Sequence, residues 1–104
     1  MGAVVVRYKV KPEFVEENER LIARVFAELA EREPDGLEYA SFRLADGVSF
    51  LHVATIDAPD GGNPLSAIAA FADFTRDIGR RCDEPPVGLD ASLVGSYRCF
   101  TESS

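Results

Sequence analysis

The sequence has no tryptophan, one methionine, one histidine and two cysteines in 104 residues. With a single histidine, and with Cys82 far from Cys99, no set of side chains has the spacing of a zinc site or a redox pair. In a reducing compartment the two thiols read as small buried hydrophobes, and nothing favours a disulfide between them. Basic residues are also scarce: 11 Lys and Arg stand against 18 Asp and Glu, for a net charge of −7. That balance argues against nucleic acid, which needs a basic surface, and against an anionic membrane face. No apolar run approaches the roughly 18 residues of a membrane span. The N-terminal run Ala3 to Val6 stops at Arg7, without the basic leader or cleavage pattern of a secretory signal. Myristoylation would want Ser or Thr where Val6 stands. The expectation is a cytoplasmic protein. There is no repeat, linker or low-complexity stretch, and the chain reads as one domain, 1–104, with a polar tail at 101–104.

What is present is periodic. Residues 3–10 alternate, with Val4, Val6, Tyr8 and Val10 on one face and Val5, Arg7 and Lys9 on the other, which predicts a strand. Lys11-Pro12 breaks it. A helix is predicted from Pro12 to about Glu33, with Val15, Ile22, Val25, Phe26 and Leu29 as its apolar stripe. Glu13, Glu16, Glu17 and Glu19 crowd its positive end. Residues 37–44 and 48–55 predict two more strands joined by a tight turn at Asp46-Gly47. Asn63-Pro64 opens a second helix, with Leu65, Ile68, Phe71, Ala72, Thr75, Ile78 and Cys82 along one side. Pro85-Pro86 is read as its end, and a last strand is predicted over about Leu93 to Phe100.

The order β-α-β-β-α-β predicts an α+β, ferredoxin-like protomer: a four-stranded antiparallel sheet with two helices on one face. Two helices cover only one face of such a sheet, yet both faces read as apolar. Ala40, Phe42 and Leu44 oppose Leu37 and Tyr39, and Leu51 and Val53 oppose Phe50 and Ala54. A bare apolar face of that size exceeds the few hundred Å² that monomers expose. The sequence therefore predicts a homodimer, sheet packed on sheet.

Among polar residues inside the strands, His52 stands out as the one group that titrates near neutrality unaided, and it is the candidate general base. The alternative is a core imidazole hydrogen-bonded to tyrosine or backbone. Arg7 and Arg43 would need a carboxylate or a bound anion if buried. They are candidate substrate anchors, although an ion pair with Glu or Asp at an edge or dimer interface is the favoured reading. Tyr39 and Tyr97, with Tyr8, could orient a ligand through their hydroxyls or simply fill the core. Asp60-Gly61-Gly62-Asn63 precedes a helix but lacks the lysine and spacing of a phosphate loop.

Three stretches, VVVRYKVKPE (4–13), FLHVATID (50–57) and IAAFADF (68–74), resemble the antibiotic-biosynthesis-monooxygenase-like family of dimeric α/β barrels. The resemblance spans nearly the whole chain. It implies ferredoxin-like protomers whose sheets pair into a barrel, with a pocket between sheet and helices. It also implies a small hydrophobic or aromatic ligand, such as a polyketide-like hydroxyl compound, oxidised without any cofactor. In that reading His52 forms a phenolate, and Arg7, Arg43 or Tyr97 steadies the oxyanion. The chain departs from the family where Ile56 stands in the neighbourhood of a usual tryptophan. Val5, Arg7 and Lys9 on the first strand are not the asparagine of haem-degrading members, which argues against haem chemistry. The alternatives are a dimer that binds a small metabolite without turnover, and an isomerase or lyase on the same scaffold.

Overall fold

The structure, a computed structural model, describes residues 2–57 and 62–98. Strand β1 (Gly2–Val10) ends at Lys11-Pro12, and a single 3-10 turn (Pro12–Phe14) leads into helix α1 (Val15–Arg32). The helix stops at Glu33, which turns left-handed (φ 46°) while its N–H still reaches the Leu29 carbonyl. Strand β2 (Leu37–Arg43) and strand β3 (Ser49–Ile56) form a hairpin. Its turn is fastened by the Asp46 carboxylate, which accepts from the Val48 and Ser49 amides at 3.0 and 2.8 Å, while Gly47 takes φ 81°. The Ser49 hydroxyl, which also donates to this carboxylate, and the two amides stabilise the charged form of Asp46 and hold its pKa down at about 2.

The second helical region is broken where its apolar stripe predicts one continuous helix. A 3-10 turn (Pro64–Ala67), helix α2 (Ala69–Arg76) and the one-turn helix α3 (Ile78–Arg81) follow one another. The break has a tertiary cause. Ile68 is extended, and the Glu28 carboxylate of α1 accepts from the amides of Ala69 and Ala70 at 3.2 and 2.9 Å. A side chain from another helix thus caps α2 and restarts it.

Strand β4 runs from Cys82 to Ser92, which corrects the prediction of a last strand over 93–100. Pro85-Pro86 lies within it rather than ending a helix. The strand sits at the edge of a sheet of order β2-β3-β1-β4, in which all neighbours are antiparallel. An edge strand tolerates proline, and the register slips at this point: Lys9 faces Glu84 while Arg7 faces Val87, so the pair sits in a bulge. Residues 93–98 have no regular structure, with Leu93, Val94 and Tyr97 exposed. Cys99, Phe100 and the polar tail lie outside the described residues, as do Asp60 and Gly61. Cys82 is buried and reduced.

The topology is otherwise the predicted ferredoxin-like one. Both helical layers cover the face that carries Val6, Tyr8, Phe50 and His52. The core forms there from Tyr8, Val10, Val25, Phe50, Phe74 and Cys82, flanked by Val15, Ile22 and Leu29 of α1. The pleat turns Val5, Ala40, Phe42, Leu51, Val53, Val87 and Leu89 to the other face, where no helix among the described residues covers them. Val87 and Leu89 are 58% and 62% exposed.

Candidate functional site

Between the sheet and α2 lies a cavity of about 390 Å³. Its floor is the helix-covered face of β1, β3 and the edge strand β2, through Val4, Val6, Tyr8, Tyr39, His52 and Ala54. Its roof comes from Leu65, Phe71, Phe74 and Ile78, and Pro86 of β4 closes one side. The lining is mostly aliphatic and aromatic, as in a site for a small apolar ligand oriented by few polar groups.

The polar groups in its floor belong to a single hydrogen-bonded chain. His52 is 4% exposed and both its ring nitrogens are engaged. Nε2 lies 2.8 Å from Tyr8 Oη, and Nδ1 lies 2.7 Å from Tyr39 Oη and 2.8 Å from Ser41 Oγ. The strand register explains the meeting. Val6 and Ser41 flank His52 as its direct cross-strand partners, and Tyr8 and Tyr39 lie one pleat away on the same face. Tyr8 in turn accepts from Asn18 Nδ2 at 2.9 Å, and Arg81 Nε donates to Asn18 Oδ1 at 3.3 Å. Arg81 is 1% exposed, donates to the Phe74 carbonyl at 2.7 Å, and lies over the Phe74 ring. Among the described residues no carboxylate pairs with it.

Burial sets the proton affinities. Desolvation disfavours imidazolium and lowers His52 to about 4, so the ring is neutral at physiological pH. The same effect pushes Tyr39 up to about 12 and raises Tyr8 further. Both phenols therefore stay protonated and can donate. Rings stack around this chain: Tyr8 on Phe50 at 5.6 Å, Tyr8 on His52 at 5.3 Å and Phe26 on Tyr39 at 5.2 Å. Such packing locks the side chains whose hydroxyls make the bonds.

The predicted site residues separate. His52 and Tyr39 meet in the cavity wall. Arg7 lies exposed on the opposite face of the sheet, opposite Leu51 and Val87. Arg43 is held by Glu19 of α1 at 2.9 Å, the ion pair that the sequence favoured for it. Tyr97 is 81% exposed beyond the end of β4 and does not line the cavity. Asn63, from the rejected anion loop, accepts from the Leu65 amide at 2.9 Å as an ordinary cap. Among the described residues no group of three His, Cys, Asp or Glu could hold a metal ion, and no helix is long and apolar enough to cross a membrane.

Asn18 and Arg81 escaped the sequence reading. A signal existed for Asn18: it stands three residues after Val15 and four before Ile22, a polar side chain inside an apolar stripe. Arg81 reads in sequence as a cation closing a helix, and only tertiary packing reveals its burial.

No protein-family model matches this sequence, and no curated protein does. Solved structures do. A candidate antibiotic biosynthesis monooxygenase from Nitrosomonas europaea superposes with TM-score 0.73 at 14% identity, over 91% of this chain and 100% of that one. A variant of SnoaB, a cofactor-independent oxygenase from Streptomyces nogalater, gives 0.67 at 18% identity, over 91% and 94%. A candidate antibiotic biosynthesis monooxygenase from Caulobacter crescentus gives 0.69 at 22%, over 90% of each. The fold is therefore antibiotic-biosynthesis-monooxygenase-like, as the local resemblances implied. Likeness at these identities speaks for architecture; activity has to be argued from the site.

Proposed function

We propose that this chain is a cofactor-independent monooxygenase acting on a small aromatic hydroxyl compound of polyketide type, and that it works as a homodimer. The observation that supports the reaction is the cavity: about 390 Å³, lined by Val4, Val6, Leu65, Phe71 and Phe74, with the Tyr39 hydroxyl in its wall. That volume suits a ligand of two or three fused rings. The nature of the solved relatives adds to the reading.

In the proposed reaction an activated ring carbon, a CH2 beside an enolisable carbonyl, loses a proton to solvent water to give the enolate, and that proton is returned to the peroxide formed later. The enolate passes one electron to O2. Superoxide and the carbon radical join as a hydroperoxide, which loses water. CH2 and O2 thus become C=O and H2O, with the two hydrogens leaving in the water. Tyr39, protonated because its pKa is raised to about 12, donates to the substrate oxygen on which negative charge develops. His52 acts at one remove, since its two nitrogens are bonded to Tyr8, Tyr39 and Ser41. Arg7, Arg43 and Tyr97 take no part. The dimer is proposed from the uncovered face around Val5, Val53 and Leu89, whose apolar area wants a second sheet.

Oxygen uptake with a panel of hydroquinones and anthrones tests the reaction. Uptake with one or more of them is expected, and Tyr39→Phe is expected to slow it about a hundredfold. Turnover unchanged in Tyr39→Phe removes the assignment. The engaged nitrogens of His52 favour one second reading, a dimer that binds an aromatic metabolite without turning it over. Tight binding of panel members with no oxygen uptake selects that reading.

A further inference from the structure

The hydrogen-bonded chain has a direction, and the direction is fixed at its buried end. A guanidinium nitrogen can only donate. Arg81 Nε therefore requires the oxygen of the Asn18 amide, and the Asn18 nitrogen is turned to Tyr8 Oη, 2.9 Å away. Tyr8, accepting there, gives its own proton to His52 Nε2 at 2.8 Å. A neutral imidazole whose Nε2 accepts carries its hydrogen on Nδ1. That N–H faces Tyr39 Oη and Ser41 Oγ at 2.7 and 2.8 Å. With its oxygen already accepting, Tyr39 keeps its own proton for whatever occupies the cavity that it lines.

We infer that Arg81 is a positioning residue: acting through Asn18, Tyr8 and His52, it makes Tyr39 a hydrogen-bond donor to the cavity, so that the site selects an acceptor oxygen, a phenolate or a quinone carbonyl, over a neutral phenol. The ligand class rests on the proposed function; the direction of the chain does not. A carboxylate at position 18 would reverse the order. It would pair with Arg81 and accept from Tyr8, leaving Tyr8 Oη to accept from His52 Nε2. The lone pair of Nδ1 would then take the Tyr39 or Ser41 proton, and the cavity would lose its donor. The neutrality of His52, lowered to about 4 by burial, keeps one hydrogen on the ring and so makes its position decisive.

His52 is the only histidine, so protein labelled with 15N in the imidazole gives one set of ring signals. Free wild-type protein at pH 7 is expected to show the Nδ1–H tautomer. Asn18→Asp is expected to show Nε2–H. Tyr8→Phe, which keeps the ring packing and cuts the chain, is expected to lose the preference for Nδ1–H. Nε2–H in the wild type, or Nδ1–H unchanged in both variants, overturns the inference whatever the ligand. Binding of 4-nitrophenol, followed by its absorbance across pH, tests selection. Wild type is expected to hold the anion at least tenfold more tightly than the neutral phenol, and Asn18→Asp and Tyr39→Phe to bring the ratio towards one. Equal affinity for the two forms, or binding of neither, overturns the donor role of Tyr39. Nδ1–H together with anion selection but no oxygen uptake on any substrate upholds the inference and removes the oxygenase reading alone.

Discussion

The two faces of one sheet are built on opposite principles. The covered face places a polar chain through the middle of its core, from Arg81 by way of Asn18 and Tyr8 to His52. The uncovered face is apolar at its centre, with Val5, Val53 and Leu51, and carries its charges, Arg7, Lys9, Glu38 and Glu84, around them. Among the described residues no buried side-chain nitrogen or oxygen lacks a partner, so the polar chain is satisfied throughout. A satisfied network of this kind specifies one arrangement of side chains, because every alternative leaves a group without its bond. An apolar face specifies area and shape only. The same strands thus combine a fixed polar network on one face with a bare apolar surface on the other.

The contrast is broken most severely at Asn18. Asn18→Leu leaves a buried guanidinium and the Tyr8 hydroxyl each short of a partner and is expected to cost about 4 kcal/mol, measured by urea unfolding. An equal change on the other face, Arg7→Met, is expected to leave the unfolding of the isolated protomer within about 0.5 kcal/mol.

Acid is expected to act almost as strongly through the covered face. The folded state holds His52 at about 4, below its ordinary value of 6.5, so between these values the unfolded chain binds a proton that the folded one does not. Stability is full above pH 6.5 and falls as pH drops towards 4, by about 3 kcal/mol for this group. Unfolding curves at successive pH values should show that slope, and His52→Gln should flatten it. The depressed carboxyl of Asp46 acts in a separate window, below its ordinary value of 3.8 and down to about 2.

On the uncovered face, Leu89→Lys is expected to weaken the proposed dimer roughly thirtyfold, about 2 kcal/mol, with the protomer still folded. Sedimentation velocity reads this directly, and a wild type that remains a single chain at high micromolar concentration ends the proposal. The smallest effect is expected at Arg43. Its ion pair with Glu19 is half-exposed, and Arg43→Met should change stability by about 0.5 kcal/mol or less and ligand affinity not at all.

The covered face was partly legible in the sequence. Strict alternation located β1, β2 and β3, the three- and four-residue spacing located α1, and a central-strand position brought out His52. Where the reading failed, a neighbour had decided. Pro85-Pro86 looks like a terminator until a bulge at the sheet edge accommodates it, and residues 93–100 alternate well enough to imitate the missing strand. The interruption of the second helix comes from Glu28, 41 residues away from the amide it caps. Arg81 is a surface cation by every local rule and becomes a core residue only when α3 folds over Phe74.

The paired prolines of β4 also govern how copies can approach one another. An unprotected rim invites a foreign strand to zip on, since its amides offer a ready template for fibre growth. Here a stretch of that rim has no amide hydrogen to offer, and the local register is offset as well. Lateral polymerisation is thereby discouraged along this border.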